Sequence, residues 1–214
     1  MLKGIIFDFD GVLIDTEMPR YLAWKSVFEG CGASFSMEQW QLGVGTGPTA
    51  FDPAALLLEI TKGEAIIATT QAHADQLALD LVKKQPLLPG VEEFIYKAAQ
   101  AGVKLAVASS SSREWVVGNL ERIGLYSVME AVCTAEDVEL VKPDPGLYQL
   151  ALQCLGLTAN DCVAFEDSAN GILAATRAGI KCVAIPNPMT ANMDFSHADG
   201  IVKSFHEINL EDLL

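Results

Sequence analysis

Basic side chains are scarce in this sequence: 14 lysines and arginines stand against 28 aspartates and glutamates, a formal net charge of −14 with a pI near 4.5. Nucleic acids and anionic membrane surfaces are bound through clustered Lys and Arg, so both are disfavoured as partners. Histidine is thinner still, and His73, His197 and His206 stand at spacings that make no ligand pair. The cysteines, Cys31, Cys133, Cys154, Cys162 and Cys182, are widely spaced, odd in number and free of any Cys-x-x-Cys. They read as small core residues of a reducing compartment rather than a disulfide framework. No apolar run approaches the roughly 18 residues of a membrane-spanning helix. Met1 leads into an apolar strand with no basic n-region ahead of it, so a cytoplasmic protein is expected. Internal repeats and low-complexity segments are absent.

What the sequence does hold is core. Hydrophobic residues make up 50% of 214 positions, enough for one domain or one domain carrying an insertion. The run from Leu2 to Phe7 reads as a buried strand, and it ends in Asp8-Phe9-Asp10-Gly11. Two residues apart on an extended chain, the Asp8 and Asp10 carboxylates leave on one face. At an effective dielectric of about 20, carboxylates about 4 Å apart repel by roughly 4 kcal/mol, so the pair needs a cation, a shared proton or a splayed turn.

Beyond Thr16 the period changes to that of a helix, with Tyr21, Trp24, Val27 and Phe28 at spacings of three and four. Further helices are predicted over 36–42, over 54–60 behind Asp52-Pro53, and over 63–84 with Ile66, Ile67, Leu77, Leu81 and Val82 on its apolar side. Residues 17–85 thus form an all-helical insert. From Gly90 onward helix and strand alternate: helix 91–101, strand 104–108, helix 112–123 capped by Ser111 with Glu114 three residues on, and strand 129–133. A helix behind Asp144-Pro145, strand 162–165, helix 168–178, strand 181–185, a short strand near Ile201-Val202 and a helix near Glu207 follow. Such alternation predicts an α/β layer fold with a mostly parallel sheet, whose ligands gather beyond the carboxyl ends of the strands. Gly43 to Pro48 follows a helix, not a strand, and reads as a flexible loop rather than a nucleotide loop. Trp24, Trp40 and Trp115 read as packing residues.

Four strand-end features occur in order: Asp8-Phe9-Asp10-Gly11-Val12; Ser109 closing the strand 104–108; Lys142 in Val141-Lys142-Pro143-Asp144-Pro145; and Glu166-Asp167-Ser168 closing the strand 162–165. Taken singly each has a plainer account. Glu166-Asp167-Ser168 suits a helix N-terminus, Lys142 a surface lysine before proline, and Ser109 a flexible serine run. Together they resemble the haloacid dehalogenase-like hydrolases, and the likeness spans nearly the whole chain. Residues 17–85 resemble the small helical cap of the β-phosphoglucomutase-like and phosphoglycolate phosphatase-like branch, inserted into a Rossmann-like α/β core of residues 1–16 and 86–214. Asp15-Thr16-Glu17 matches the usual start of that cap, with Thr16 and Leu87 to Gly90 as the two crossings.

The resemblance implies roles. Asp8 is the nucleophile that takes the phosphoryl group as an aspartyl-phosphate, and Asp10 protonates the leaving alcohol and then deprotonates water. Ser109 and Lys142 hold phosphoryl oxygens. Asp8, Asp167, Glu166 and the backbone carbonyl of Asp10 make an all-oxygen site suited to Mg²⁺. Glu17, Arg20 and Arg113 are candidates for substrate contact at the cap and the entrance. The implied activity is a Mg²⁺-dependent phosphatase of small phosphorylated metabolites, with sugar phosphates as the expected type, acting as a monomer or weak homo-oligomer. A mutase of the β-phosphoglucomutase type is the closest rival, although the positions where that branch carries a His and a cap Arg hold Arg20 and the Gly45-Thr46-Gly47 neighbourhood. A dehalogenase would lack the second aspartate, and a non-catalytic phosphometabolite-binding module would be expected to have lost one of Asp8, Asp10, Lys142 or Asp167.

Overall fold

The computed structural model of the chain describes residues 2–44, 51–63 and 67–213. It divides into two compact units, one made of Met1–Ile14 with Pro86–Leu214 and the other of Asp15–Gln85.

The first unit is built on six strands, β1 Gly4–Phe7, β2 Lys104–Ala108, β3 Ala131–Cys133, β4 Cys162–Glu166, β5 Lys181–Ala184 and β6 Gly200–Ile201. They lie in the order β3-β2-β1-β4-β5-β6, and every pairing is parallel. A parallel sheet carries helices on both faces, which is why β1 and β4 are buried at every residue and read as unbroken apolar runs instead of alternating ones. Period two still sorts their side chains. On one face Phe7 and Phe165 meet Phe94 of helix α5 (Val91–Gln100) and Phe205, with ring centroids 5.0–6.4 Å apart. On the other Ile6, Ala106 and Ala164 form a core with Leu147, Tyr148 and Ala151 of α7 (Gly146–Leu155) and Ile172 and Ala175 of α8 (Ala169–Arg177).

Because β1 sits between β2 and β4, connections leave it in both directions and a crevice opens at the carboxyl end of the sheet. The register pairs Phe7 with both Val107 and Phe165, so Asp8 lies level with Ala108 and Glu166. Asp8 N–H donates to the Phe165 carbonyl (2.9 Å) and Ser109 N–H to the Cys133 carbonyl (2.9 Å), which carries the ladder one residue past each strand. The residues where the two units part are tied within the first unit: Leu88 N–H donates to the Leu13 carbonyl (2.9 Å), and Ile14 bridges Leu87.

The second unit holds α1 (Glu17–Gly30), α2 (Met37–Gln41), α3 (Pro53–Ile60) and α4 (Ile67–Val82). Its aromatic core stacks Phe28 on Phe35 at 4.3 Å, with Tyr21, Trp24, Trp40 and Phe51 around them. Ser36 closes a capping box with Gln39, and Asp52 caps α3 ahead of Pro53. Residues 45–50, which include the neighbourhood compared above with a mutase arginine, lie outside the described residues, as does Ile66.

Two expectations change. The helix after β2, α6, runs Arg113–Arg122 with Ser112 as its cap, its hydroxyl accepting from Trp115 N–H (3.3 Å). Ser111 was expected there, and it is freed for another contact. The helix expected near Glu207 is two short 3₁₀ turns, Phe205–Glu207 and Leu210–Asp212, too short for a full α-helical ladder.

Candidate active site

Asp8, Glu166 and Asp167 end neighbouring strands, and one carboxylate oxygen from each lies within 4.8 Å of the others. All three are buried, and Glu166 has no solvent exposure. Against them stands the Lys142 ammonium, in the loop ahead of α7, 2.5 Å from Asp8 Oδ1 and 2.6 Å from Glu166 Oε1. Tyr148 OH donates to the same Glu166 oxygen at 2.6 Å, and the Ser168 hydroxyl reaches Oε2 at 3.4 Å. Lys142 Nζ also lies 5.2 Å from the centroid of the Tyr148 ring. Glu166 is thereby a buried anchor that aims Lys142 at Asp8.

The electrostatics follow from burial. Loss of water pushes the Asp8 carboxyl up, the adjacent Lys142 ammonium pulls it back, and Glu166 and Asp10 push it up again, leaving it near 8. Burial alone would depress the Lys142 ammonium, but Asp8 and Glu166 together outweigh it and hold it above its ordinary value. Burial and the Glu166 charge both raise the Tyr148 phenol, which stays protonated and donating. Three carboxyl groups share one ammonium, and the upward push on Asp8 is the mark of that crowding of negative charge, which a cation beside it would offset and so bring Asp8 back to its ionised form. The oxygen donors suit a hard one such as Mg²⁺, with Asp8, Asp167, Glu166 and the Asp10 carbonyl as the residues that would hold it.

Asp167 is oriented by a residue that sequence reading passed over. Asn187 donates from Nδ2 to Asp167 Oδ2 at 2.6 Å, while its own Oδ1 accepts from Met189 N–H (2.9 Å) and Thr190 N–H (3.2 Å). Those two backbone donors leave the amide no reason to flip. Gly11, with φ 83°, passes so close that a Cβ there would fall on the Asp167 carboxylate and the Asn187 amide. Gly171 serves Glu166 likewise, since a side chain at that point of α8 would occupy its carboxylate.

Asp10 is half-buried and held from the β2–α6 side. Trp115 Nε1 donates to Oδ1 at 2.9 Å, and Ser111 Oγ donates to Oδ2 at 2.6 Å, with Ser109 Oγ at 3.4 Å from the same oxygen. Ser109 Oγ in turn accepts from Ser111 N–H (3.1 Å). The reading of Trp115 as a packing residue is corrected, because its indole spends its polar atom on Asp10. Arg113 turns its guanidinium onto Asp137 Oδ2 (2.6 Å) and the Val132 carbonyl (3.2 Å), so its charge is committed away from the carboxylate cluster. Glu17 accepts from Trp40 Nε1 (3.2 Å) and lies 3.6 Å from Arg20, both contacts inside the helical unit.

Of the residues missed, Asn187 had a signal: it closes the loop behind β5, where the strand-end rule applies as it does to Asp8 and Asp167. Ser111 stood in the serine run. Tyr148 and Trp115 had none, since a tyrosine or tryptophan in an amphipathic helix reads as core.

This is the site of a hydrolase built at the switch point of a parallel sheet. The model of the haloacid dehalogenase-like hydrolase family matches residues 5–185, and the chain belongs to that family. It is 40% identical over 215 residues, all of this chain and 97% of the other, to a protein of Bacillus subtilis (strain 168) called "Putative phosphatase YhcW". Among solved structures it resembles CbbY from Rhodobacter sphaeroides in complex with xylulose-(1,5)bisphosphate, with TM-score 0.78 and 29% identity over 98% of this chain and 97% of that one. It also resembles a "putative beta-phosphoglucomutase" from Thermotoga maritima, with TM-score 0.85 and 25% identity over the whole of both chains.

Proposed function

We propose that the protein is a Mg²⁺-dependent phosphatase of small phosphorylated metabolites, sugar phosphates foremost, working through an aspartyl-phosphate on Asp8. That it is a phosphoric monoester hydrolase follows from its family and its likeness to YhcW. The observation that carries the mechanism is the buried Asp8 carboxylate gripped by Lys142 beside the Glu166-Asp167 pair.

Lys142 fixes the rotation of the Asp8 carboxylate and lends positive charge to the transferring phosphoryl group. An Asp8 oxygen bonds to phosphorus while the ester P–O bond breaks, and the leaving oxygen takes its electron pair and a proton from Asp10. Water then gives a proton to Asp10 and attacks the same phosphorus, and the Asp8–phosphorus bond breaks to release phosphate. Ser109 presents its hydroxyl to a phosphoryl oxygen. Bound Mg²⁺ supplies charge neutralisation for the nucleophile and the phosphoryl oxygens.

A sugar phosphate as substrate is supported by the ligand of the CbbY structure. The helical unit is proposed as the cap that selects among substrates, with Glu17 and Arg20 as its candidate residues; Arg113 is set aside because of its Asp137 pairing.

The test is phosphate release from a panel of sugar phosphates, phosphoglycolate and nucleoside monophosphates, with Mg²⁺ and with chelator, including β-glucose 1-phosphate assayed for glucose 6-phosphate. Metal-dependent release from a few members is the expected result. Isomerisation without release would make the protein a mutase, and silence across the panel would overturn the reading.

A further inference from the structure

Resting on that reading, we infer that Trp115 is a positioning residue that fixes the rotation of the Asp10 carboxyl group and so aims it at the leaving oxygen. The two carboxyl oxygens have unlike neighbours. Oδ1 receives the Trp115 indole N–H at 2.9 Å. Oδ2 faces two hydroxyls, Ser111 at 2.6 Å and Ser109 at 3.4 Å.

An indole nitrogen donates and never accepts, whereas a serine hydroxyl does either. Each carboxyl oxygen has two lone pairs, so the one N–H leaves Oδ1 a free direction, whereas the Ser111 and Ser109 hydroxyls both face Oδ2. Held at both oxygens, the carboxyl group has its plane fixed, and removing the Trp115 N–H frees it to turn about the bond that carries it.

The arrangement is built into the first turn of α6. Trp115 lies three residues past the Ser112 cap, whose hydroxyl accepts from its backbone N–H. The cap fixes the backbone of the residue whose ring reaches Asp10. Two other side chains in the same stretch, Ser109 and Ser111, are joined by the Ser111 N–H bond to Ser109 Oγ, so Asp10 is held at Oδ2 from the loop and at Oδ1 from the helix that follows it.

Phenylalanine at 115 keeps the ring face and removes the N–H, which makes Trp115→Phe the informative variant. The readout is kcat/KM across phosphate monoesters whose leaving groups run from p-nitrophenol, which departs without a proton, to simple alkanols, which need one. Protonation by a placed acid is worth about 10²–10⁴-fold, so a misplaced Asp10 should lose about 10-fold or more on alkyl esters and less than about threefold on p-nitrophenyl phosphate. Asp10→Asn should show the same graded pattern with a larger slope. Independently of turnover, the indole ¹H–¹⁵N resonance that vanishes in Trp115→Phe should move upfield in Asp10→Ala, as a bonded N–H is released.

Equal losses on aryl and alkyl esters, no loss on either, or an indole resonance indifferent to Asp10→Ala would each overturn the assignment. Should wild type release no phosphate from any ester, the phosphatase reading falls and this assignment falls with it. Wild-type turnover with a graded loss in Asp10→Asn but none in Trp115→Phe would overturn the role of Trp115 alone.

Discussion

The two units differ in how far their side-chain hydrogen bonds reach. Among the described residues of the helical unit most stay close to home, Ser36 with Gln39, Asp52 with Ala54 and Ala55, Gln71 with Asp75, Gln76 with Asp80, each two to four residues apart, and the longer ones span 14 and 23 residues, Tyr21 to Phe35 and Trp40 to Glu17. At the site of the α/β unit they cross the chain: Lys142 to Asp8 over 134 residues, Trp115 to Asp10 over 105, Ser111 to Asp10 over 101. A local bond supports one turn of helix and can be replaced by water. A long-range bond between buried groups has no such substitute, so the cost of losing it falls on the whole site.

The contrast can be tested from its strongest consequence downward. Asp8→Asn should cost about 10⁴-fold or more in kcat while leaving the far-ultraviolet circular dichroism unchanged, because nucleophile and base act as a unit. Retention of most activity in the purified variant would refute the mechanism. Lys142→Met should lower unfolding free energy by about 3–5 kcal/mol, measured from urea midpoints, since it abandons Asp8 and Glu166 in the interior without their counter-charge. A loss below about 1 kcal/mol would show that water reaches these carboxylates and erase the contrast.

Asn187→Ala releases Asp167 without touching phosphate, and should raise the Mg²⁺ concentration for half-maximal activity about 10- to 100-fold with little change in melting temperature. In the helical unit Ser36→Ala removes a capping box at a partly exposed helix start and should cost about 1 kcal/mol or less, read by thermal unfolding. The smallest effect belongs to a pair that is long-range yet exposed, Lys3 with Asp161 at 2.9 Å. Hydrogen bonding by Lys3, then Thr158, lowers the Asp161 carboxyl from 3.8 to about 2. A depressed folded-state value means a contribution fully present above pH 3.8 and lost as pH falls through about 2. Asp161→Asn should therefore lower the melting temperature slightly at neutral pH and not at all near pH 2. A large effect would mean that sequence separation, rather than burial, sets the cost.

How much of this was legible depends on how far each signal is local. The four strand-end features could be read because a buried strand that stops at a carboxylate, a serine or an acidic pair breaks its own apolar pattern, and Asp8, Ser109 and Glu166 do so at consecutive strands of the sheet. Lys142 was marked by Pro143 and Pro145, which bracket a turn ahead of α7. Ser111 and Ser112 could not be told apart, because in a run of serines either hydroxyl suits a cap and the choice depends on where Asp10 stands. Arg113 was placed near the entrance from the expected fold, and its pairing with Asp137 and the Val132 carbonyl, 24 and 19 residues away, is a contact that no local pattern announced.

Residue types and their periods were enough to predict an α/β chain with a helical insertion, because burial patterns and strand ends are properties of short segments; the proposed phosphoryl-transfer roles of Asp8, Asp10, Ser109, Lys142, Glu166 and Asp167 rest on the family resemblance that those residues carry together. Which oxygen each of those groups turns to which neighbour was decided only by the tertiary structure. Trp115 on Asp10, Tyr148 on Glu166 and Asn187 on Asp167 are contacts between segments whose distance depends on sheet order, and no local pattern encodes that distance.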